Sequence, residues 1–161
     1  MEWKWKDLCL QVQELGEGMP ALMLHGYSLD HSMLRACMEP VFAQAGMEGQ
    51  LRRVYLDLPG MGGSNHPDWL QDADCLLDVL QAYVEEQFDG APFLLVGESD
   101  GGYLARGLMY RMPERIRAAL LLCPVVEPRR EDRHLAPFAV RRCEGVEPFR
   151  GEPGFDAFSK E

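Results

Sequence analysis

Phe93-Leu94-Leu95-Val96-Gly97-Glu98-Ser99-Asp100-Gly101-Gly102 is the stretch that decides how this chain folds. Four apolar residues in a row read as a buried strand. A Gly-x-Ser-x-Gly turn follows, and then residues that can open a helix. A serine on a sharp strand-to-helix turn projects its hydroxyl away from the sheet, where a substrate carbonyl can reach it. Gly97 and Gly101 suit that turn because a side chain at either position crowds the tight backbone.

Working outward, the same grammar repeats. Upstream, Ala21-Leu22-Met23-Leu24 is a short apolar run ending in His25-Gly26, and Arg53-Val54-Tyr55-Leu56 runs into the glycine-rich Asp57-Leu58-Pro59-Gly60-Met61-Gly62-Gly63-Ser64. Between them Asp30 can cap a helix reaching about Glu39, with Pro40 expected to interrupt it or to start another turn. From Trp69 to Phe88, Ala73, Leu76, Leu77, Leu80, Val84 and Phe88 recur at helical spacing among acidic residues, the mark of an amphipathic helix. Downstream, Tyr103 to Arg111 is helical and stops before Pro113, and Ile116 to Cys123 is one more apolar strand. Near the start, Trp3 to Glu14 reads as one or two outer strands. Alternating strands and helices imply an α/β fold: a mostly parallel sheet with helices on both faces.

After Pro124 the pattern dissolves into prolines (Pro128, Pro137, Pro148, Pro153) and charges. Residues 1–124 therefore read as a core, and 125–161 as an irregular tail or the start of a lid. The 161 residues suffice for one buried core.

The net charge of -10 argues against nucleic acid or an anionic membrane surface as the main partner. The pairs Arg129-Arg130 and Arg141-Arg142 sit among Glu127, Glu131, Asp132 and Glu144, a solvated mixture rather than a basic patch. Five scattered cysteines (Cys9, Cys37, Cys75, Cys123, Cys143) lack zinc or redox-motif spacing. They read as reduced thiols, which suits a cytoplasmic protein. The opening Met-Glu-Trp-Lys-Trp-Lys has no signal-peptide apolar core, and no stretch approaches a membrane span. The four histidines have no metal-ligand spacing, so no metal is expected. The glycines of 60–63 lack the Lys-Ser/Thr of a phosphate loop.

Three motifs in order, each at a strand end, carry a resemblance. His25-Gly26-Tyr27, Asp57-x-Pro-Gly-x-Gly-x-Ser and Gly97-Glu98-Ser99-Asp100-Gly101 resemble the N-terminal part of an α/β-hydrolase of the serine esterase, lipase and aminopeptidase-like branch, over about Lys6 to Pro124. The resemblance implies a serine hydrolase that cleaves an ester, thioester, lactone or amide through an acyl-enzyme, with no cofactor. It assigns Ser99 as nucleophile and the backbone N–H groups of Tyr27 and Asp100 as the oxyanion hole. It gives Gly26 and Gly102 a close-packing role, with Gly26, Tyr27 and Asp100 against a small acyl substrate. A serine at this position departs from the branches that dehalogenate alkanes or open epoxides, which use a carboxylate.

Two departures from the family pattern stand out. Asp100 places a carboxylate where relatives usually carry an uncharged residue, and it opposes negative charge growing on a substrate oxygen. The second departure is the C-terminal side. The triad runs in the order serine, acid, histidine, and relatives place the last two after strands six to eight. This chain reaches the sixth strand only, so the fold is expected to be incomplete there. The resemblance implies that the catalytic acid and histidine lie beyond Glu161. Within the chain, Glu127 matches the acid of a minority arrangement and His134 is the single histidine after Ser99, and both are otherwise expected to be lid residues. His25 is expected to shape its own loop, His31 to be structural and His66 to be exposed in a polar turn.

Without further strands, Ala118-Ala119-Leu120-Leu121-Leu122 presents an apolar sheet edge that invites self-association or a complementing chain. Two readings stay open: a serine hydrolase or its N-terminal portion, and a non-catalytic remnant that binds ligands or partners.

Overall fold

The computed structural model describes residues 1–134. Six strands form one sheet: β1 (Glu2–Trp5), β2 (Leu8–Leu15), β3 (Met19–Leu24), β4 (Leu51–Leu56), β5 (Phe93–Glu98) and β6 (Ile116–Leu122). Their order across the sheet is β1-β2-β4-β3-β5-β6. β1 and β2 pair antiparallel and form the outer ribbon, β2 pairs antiparallel with β4, and the other contacts are parallel. Three helices connect the parallel strands: α1 (His31–Gln44), α2 (Ala73–Gln87) and α3 (Ser99–Arg111).

The central strands are apolar at consecutive positions because both their faces are covered. Alternate residues serve opposite cores. Leu22, Leu24, Val54, Leu56 and Leu95 join the α2 and α3 residues Leu77, Leu80, Val84, Leu104 and Leu108 in one cluster. Ala21, Met23, Tyr55 and Val96 join Leu34, Met38 and Phe42 of α1 in the other. A buried polar group anchors this second side. Arg53 donates through Nε to Glu39 Oε1 at 2.8 Å, and Tyr55 Oη donates to the same oxygen at 2.6 Å.

Two helix boundaries differ from the sequence reading. α1 runs through Pro40 to Gln44 instead of stopping near Glu39. A proline in a helix orphans the carbonyl four residues back. Here Ala36 and Pro40 are both exposed, so water serves that carbonyl and the helix continues. α2 begins at Ala73 rather than at Trp69, because the Asp72 side chain accepts from the Cys75 N–H at 2.8 Å and caps the helix. The last strand ends at Leu122, and Cys123 takes a positive φ of 43°.

β6 is the terminal strand among the described residues, and Ala118, Ala119 and Leu120 are exposed along it. No described helix is long and apolar enough to cross a membrane. The chain divides into two compact units, Met1–Pro128 and Arg129–Glu161. In the second, the described part holds one 3-10 turn at Arg130–Asp132 and an exposed His134.

Candidate active site

Sheet register brings three strand ends level. Leu24 of β3 stands opposite Leu56 of β4 on one side and Gly97 of β5 on the other. The loops that leave these ends begin His25-Gly26, Asp57-Leu58 and Glu98-Ser99, so the three motifs meet at the carboxyl edge of the sheet. The connection leaving β3 runs to β4 and the one leaving its neighbour β5 runs to β6, in opposite directions across the sheet, and crevices for ligands form between the ends of such strands.

Ser99 is the first residue of α3 and has φ of +51°, the left-handed region that non-glycine residues rarely occupy. Close packing imposes this turn. A Cβ on Gly97 would lie 2.5 Å from the Gly101 carbonyl oxygen, and one on Gly101 would strike the backbone carbonyls of Leu24 and His25. A Cβ on Gly102 would lie 2.7 Å from Pro124 Cβ. The strand β3 end therefore lies directly beneath the first turn of α3. On its far side the Ser99 carbonyl accepts from the Val125 N–H at 2.9 Å. Gly26 abuts the serine: a Cβ there would lie 3.0 Å from Ser99 Cβ and would collide with the Glu98 carboxylate.

The loop from His25 to His31 packs on the turn. His25 is fully buried; its Nε2 accepts from the Leu58 N–H at 2.9 Å, so its proton sits on Nδ1, 2.8 Å from the Gly26 carbonyl. Tyr27 follows with its side chain exposed. Its neighbour Ser28 has φ of +60°. At the loop's end His31 donates to Asp57 Oδ1 twice, from its backbone N–H at 2.8 Å and from Nδ1 at 2.7 Å.

Beside the turn lies a two-lobed cleft. One lobe, about 460 Å³, is lined by Tyr27, Ser28, Pro59, Gly60 and Met61. The other, about 470 Å³, is lined by Gln71, Asp72, Ala73, Tyr103 and Leu104. His66, Leu70, Leu76 and Asp100 border both. Burial without a compensating partner raises the Asp100 carboxyl above the ordinary aspartate range, with the nearby His25 opposing weakly. Glu98 Oε2 is buried without a hydrogen-bond partner among the described residues.

The geometry unites part of the expected site. Ser99, Gly26, Tyr27 and Asp100 converge on one edge. Glu127 sits half-buried in the first unit and His134 in the second. Among the described residues no imidazole hydrogen-bonds Ser99 Oγ: His25 and His31 are engaged as described, and His66 is exposed at the cleft wall. The sequence reading left three contributors to the cleft unnoticed: His66, Leu70 and Leu76. His66 borders both lobes, although its Asn-His-Pro context signals only a turn. Leu70 and Leu76 bring apolar surface from the connection into α2. The ligand atoms of Asp30, His31 and Asp57 lie within 4.8 Å of one another. The cluster is hydrogen-bonded internally and to its own loops: Asp57 accepts from His31 and from the Gly63 N–H, and Asp30 from the Ser32 N–H.

Comparison with known proteins agrees with the fold. The profile of the alpha/beta hydrolase family matches residues 21–160. The chain belongs to the α/β-hydrolase family. It is 29% identical over 138 residues to the AB hydrolase superfamily protein YisY of Bacillus subtilis, covering 85% of this chain and 49% of that protein. It is 34% identical over 120 residues to the 2-hydroxymuconate semialdehyde hydrolase of Pseudomonas putida, covering 69% of this chain and 38% of that protein. The chain thus spans half or less of the length of these curated relatives. An alpha/beta superfamily hydrolase from Oenococcus oeni superposes with a TM-score of 0.70 at 30% identity, covering 92% of this chain and 56% of that one. The thioesterase domain from the curacin biosynthetic pathway shares the fold at a TM-score of 0.67 and 23% identity.

Proposed function

We propose that this α/β-hydrolase chain carries the nucleophile and oxyanion portion of a serine hydrolase acting on a small ester, thioester, lactone or amide. The observation that carries the reading is the positive φ of Ser99 at the strand-to-helix junction. Strain of this kind persists only where the surroundings impose it, and it turns the hydroxyl out toward solvent.

In this reading Ser99 Oγ attacks the substrate carbonyl carbon. The carbonyl oxygen becomes an oxyanion and accepts from the backbone N–H groups of Tyr27 and Asp100. One such donor is worth about 3 kcal/mol in the transition state. Collapse expels the alcohol, thiol or amine and leaves an acyl-serine, which water then hydrolyses. A base must take the serine proton. His134 is the candidate base in this chain after Ser99, with Glu127 as candidate acid; both lie within 125–161, the segment that we assign as the start of a lid. We assign the protein to the cytoplasm, with no nucleic-acid or membrane partner.

A second reading, a binding domain without catalysis, is favoured by one specific observation: among the described residues no imidazole hydrogen-bonds Ser99 Oγ. Treatment with a fluorophosphonate probe, read by intact mass with Ser99→Ala as control, separates the readings. Labelling that vanishes in the variant supports an activated serine. A folded chain that takes no label favours the binding domain.

A further inference from the structure

The loop that bears the Tyr27 amide is tied down at both ends to the loop that follows β4. At its start, buried His25 accepts the Leu58 N–H at 2.9 Å through Nε2 and holds the Gly26 carbonyl at 2.8 Å through Nδ1. At its finish, His31 presents both its backbone N–H and its Nδ1–H to Asp57 Oδ1, at 2.8 and 2.7 Å. Asp57 is itself immobilised. It is 3% exposed; its Oδ2 accepts the Gly63 N–H at 2.8 Å, its carbonyl accepts Ser64 Oγ at 2.7 Å, and its N–H donates to Gln11 at 2.9 Å. Gly62, at φ of +54°, leaves room for that carboxylate, into which any Cβ would run. Between the two ties, residues 27–29 are exposed, and the interior bond from the Leu29 N–H to the Gly26 carbonyl is long at 3.4 Å. Among the described residues no side-chain hydrogen bond anchors residues 27–29, so the ties at the loop's ends set its position.

We propose that Asp57, acting through His31, together with His25, is a positioning device that aims the Tyr27 amide at the oxyanion. Neither residue touches the reacting atoms; each fixes the frame from which the donor points. The role rests on the reading of Ser99 as nucleophile. A donor held by its neighbours costs nothing to orient during reaction, and a displacement near 1 Å at such a site can cost on the order of a hundredfold in rate.

The test uses His31→Ala, which removes one of the two bonds to Asp57 and leaves the backbone one, and Asp57→Ala, which removes both. Hydrogen exchange is followed at the Tyr27, Ser28 and Leu29 amides, and fluorophosphonate labelling of Ser99 is resolved into its maximal rate and its half-saturating concentration. The phosphoryl oxygen of the probe occupies the oxyanion position, so the maximal rate reports the donor. Expected for both variants is exchange at these amides faster by about tenfold or more, and a maximal rate lower by a similar factor with half-saturation unchanged. Because His31→Ala removes one partly exposed ring, its urea midpoint should stay near that of the parent. Unchanged exchange at residues 27–29 in both variants overturns the proposal. So does faster exchange with an unchanged maximal rate, which makes the tie structural alone. If the parent chain takes no label, the nucleophile reading fails, and the exchange data by themselves decide whether the loop is held from its ends.

Discussion

Gly26 and Ser99 are packed so closely that a methyl group on the glycine would lie 3.0 Å from the serine Cβ and collide with the Glu98 carboxylate. Gly26→Ala should therefore move the Tyr27 loop off the turn. Ser99 labelling should fall by roughly a hundredfold, in line with loss of one oxyanion donor. Stability should drop by about 1–3 kcal/mol through overpacking, read from urea unfolding. Retained labelling would show that the loop can shift without losing its donor.

Ser99 itself is a strained residue in a site whose neighbours forbid relaxation. Glycine occupies positive φ without steric cost, whereas alanine keeps the penalty. Ser99→Gly should thus be more stable than Ser99→Ala by about 1 kcal/mol, although glycine ordinarily weakens a helix end relative to alanine. Equal urea midpoints for the two variants would mean that the turn carries no strain.

Burial raises the Asp100 carboxyl above its ordinary range. In the unfolded chain it ionises at ordinary aspartate values, so between the two pKa values the folded state binds more protons. Stability then declines as pH rises through that window, and the full penalty is present above the raised value. Asp100→Asn removes it. The variant should be the more stable protein at neutral pH, and its advantage should vanish at pH below the ordinary aspartate range. The same ionisation opposes charge on the substrate oxygen, so the ratio of variant to parent labelling rates should climb with pH. A ratio that is flat from pH 4 to 8 would place the carboxylate away from the reacting centre.

The strands that build this edge were legible because burial writes itself locally: Ala21–Leu24, Val54–Leu56 and Phe93–Val96 are apolar runs whatever their neighbours. The serine turn was legible for a similar reason, since Gly97 and Gly101 are needed within a few residues of Ser99. The ties between loops were not. His31 and Asp57 lie 26 positions apart and meet only because β4 docks beside β3. Arg53 sat in an apparent strand as an ordinary charge, yet it is 5% exposed, because Glu39 from α1 reaches it. Pro40 misled through a local rule, the lost backbone bond, whose cost disappears where Ala36 faces water.

That Arg53–Glu39 contact makes a strong stability prediction. Arg53 Nη1 also donates to the Glu48 and Leu51 carbonyls, at 2.6 and 3.0 Å, so the guanidinium cannot withdraw to solvent without breaking three contacts. Glu39→Ala leaves this cation buried without its counter-charge and strands the Tyr55 hydroxyl. The expected loss is about 3–5 kcal/mol by urea unfolding. Replacing both partners together, Arg53→Met with Glu39→Leu, should cost much less than the single change. A double variant as unstable as Glu39→Ala would mean that the loss comes from packing and not from the orphaned charge.

At the other end of the sheet, β6 leaves one row of backbone groups unpaired among the described residues, beside an apolar hollow of about 250 Å³ formed by Met38, Val41, Phe42, Leu94 and Ala118–Leu120. An exposed apolar edge strand is a template for pairing with another chain. The 161-residue chain should accordingly associate with rising concentration in sedimentation velocity. Leu120→Lys, at a position already 43% exposed, should suppress that association while leaving the urea midpoint within about 0.5 kcal/mol of the parent. A charge there can point to solvent, so its effect on folding is small, whereas it must be desolvated for a second strand to dock. A parent chain that sediments as a monomer across the whole concentration range would mean that this edge is covered within the chain itself.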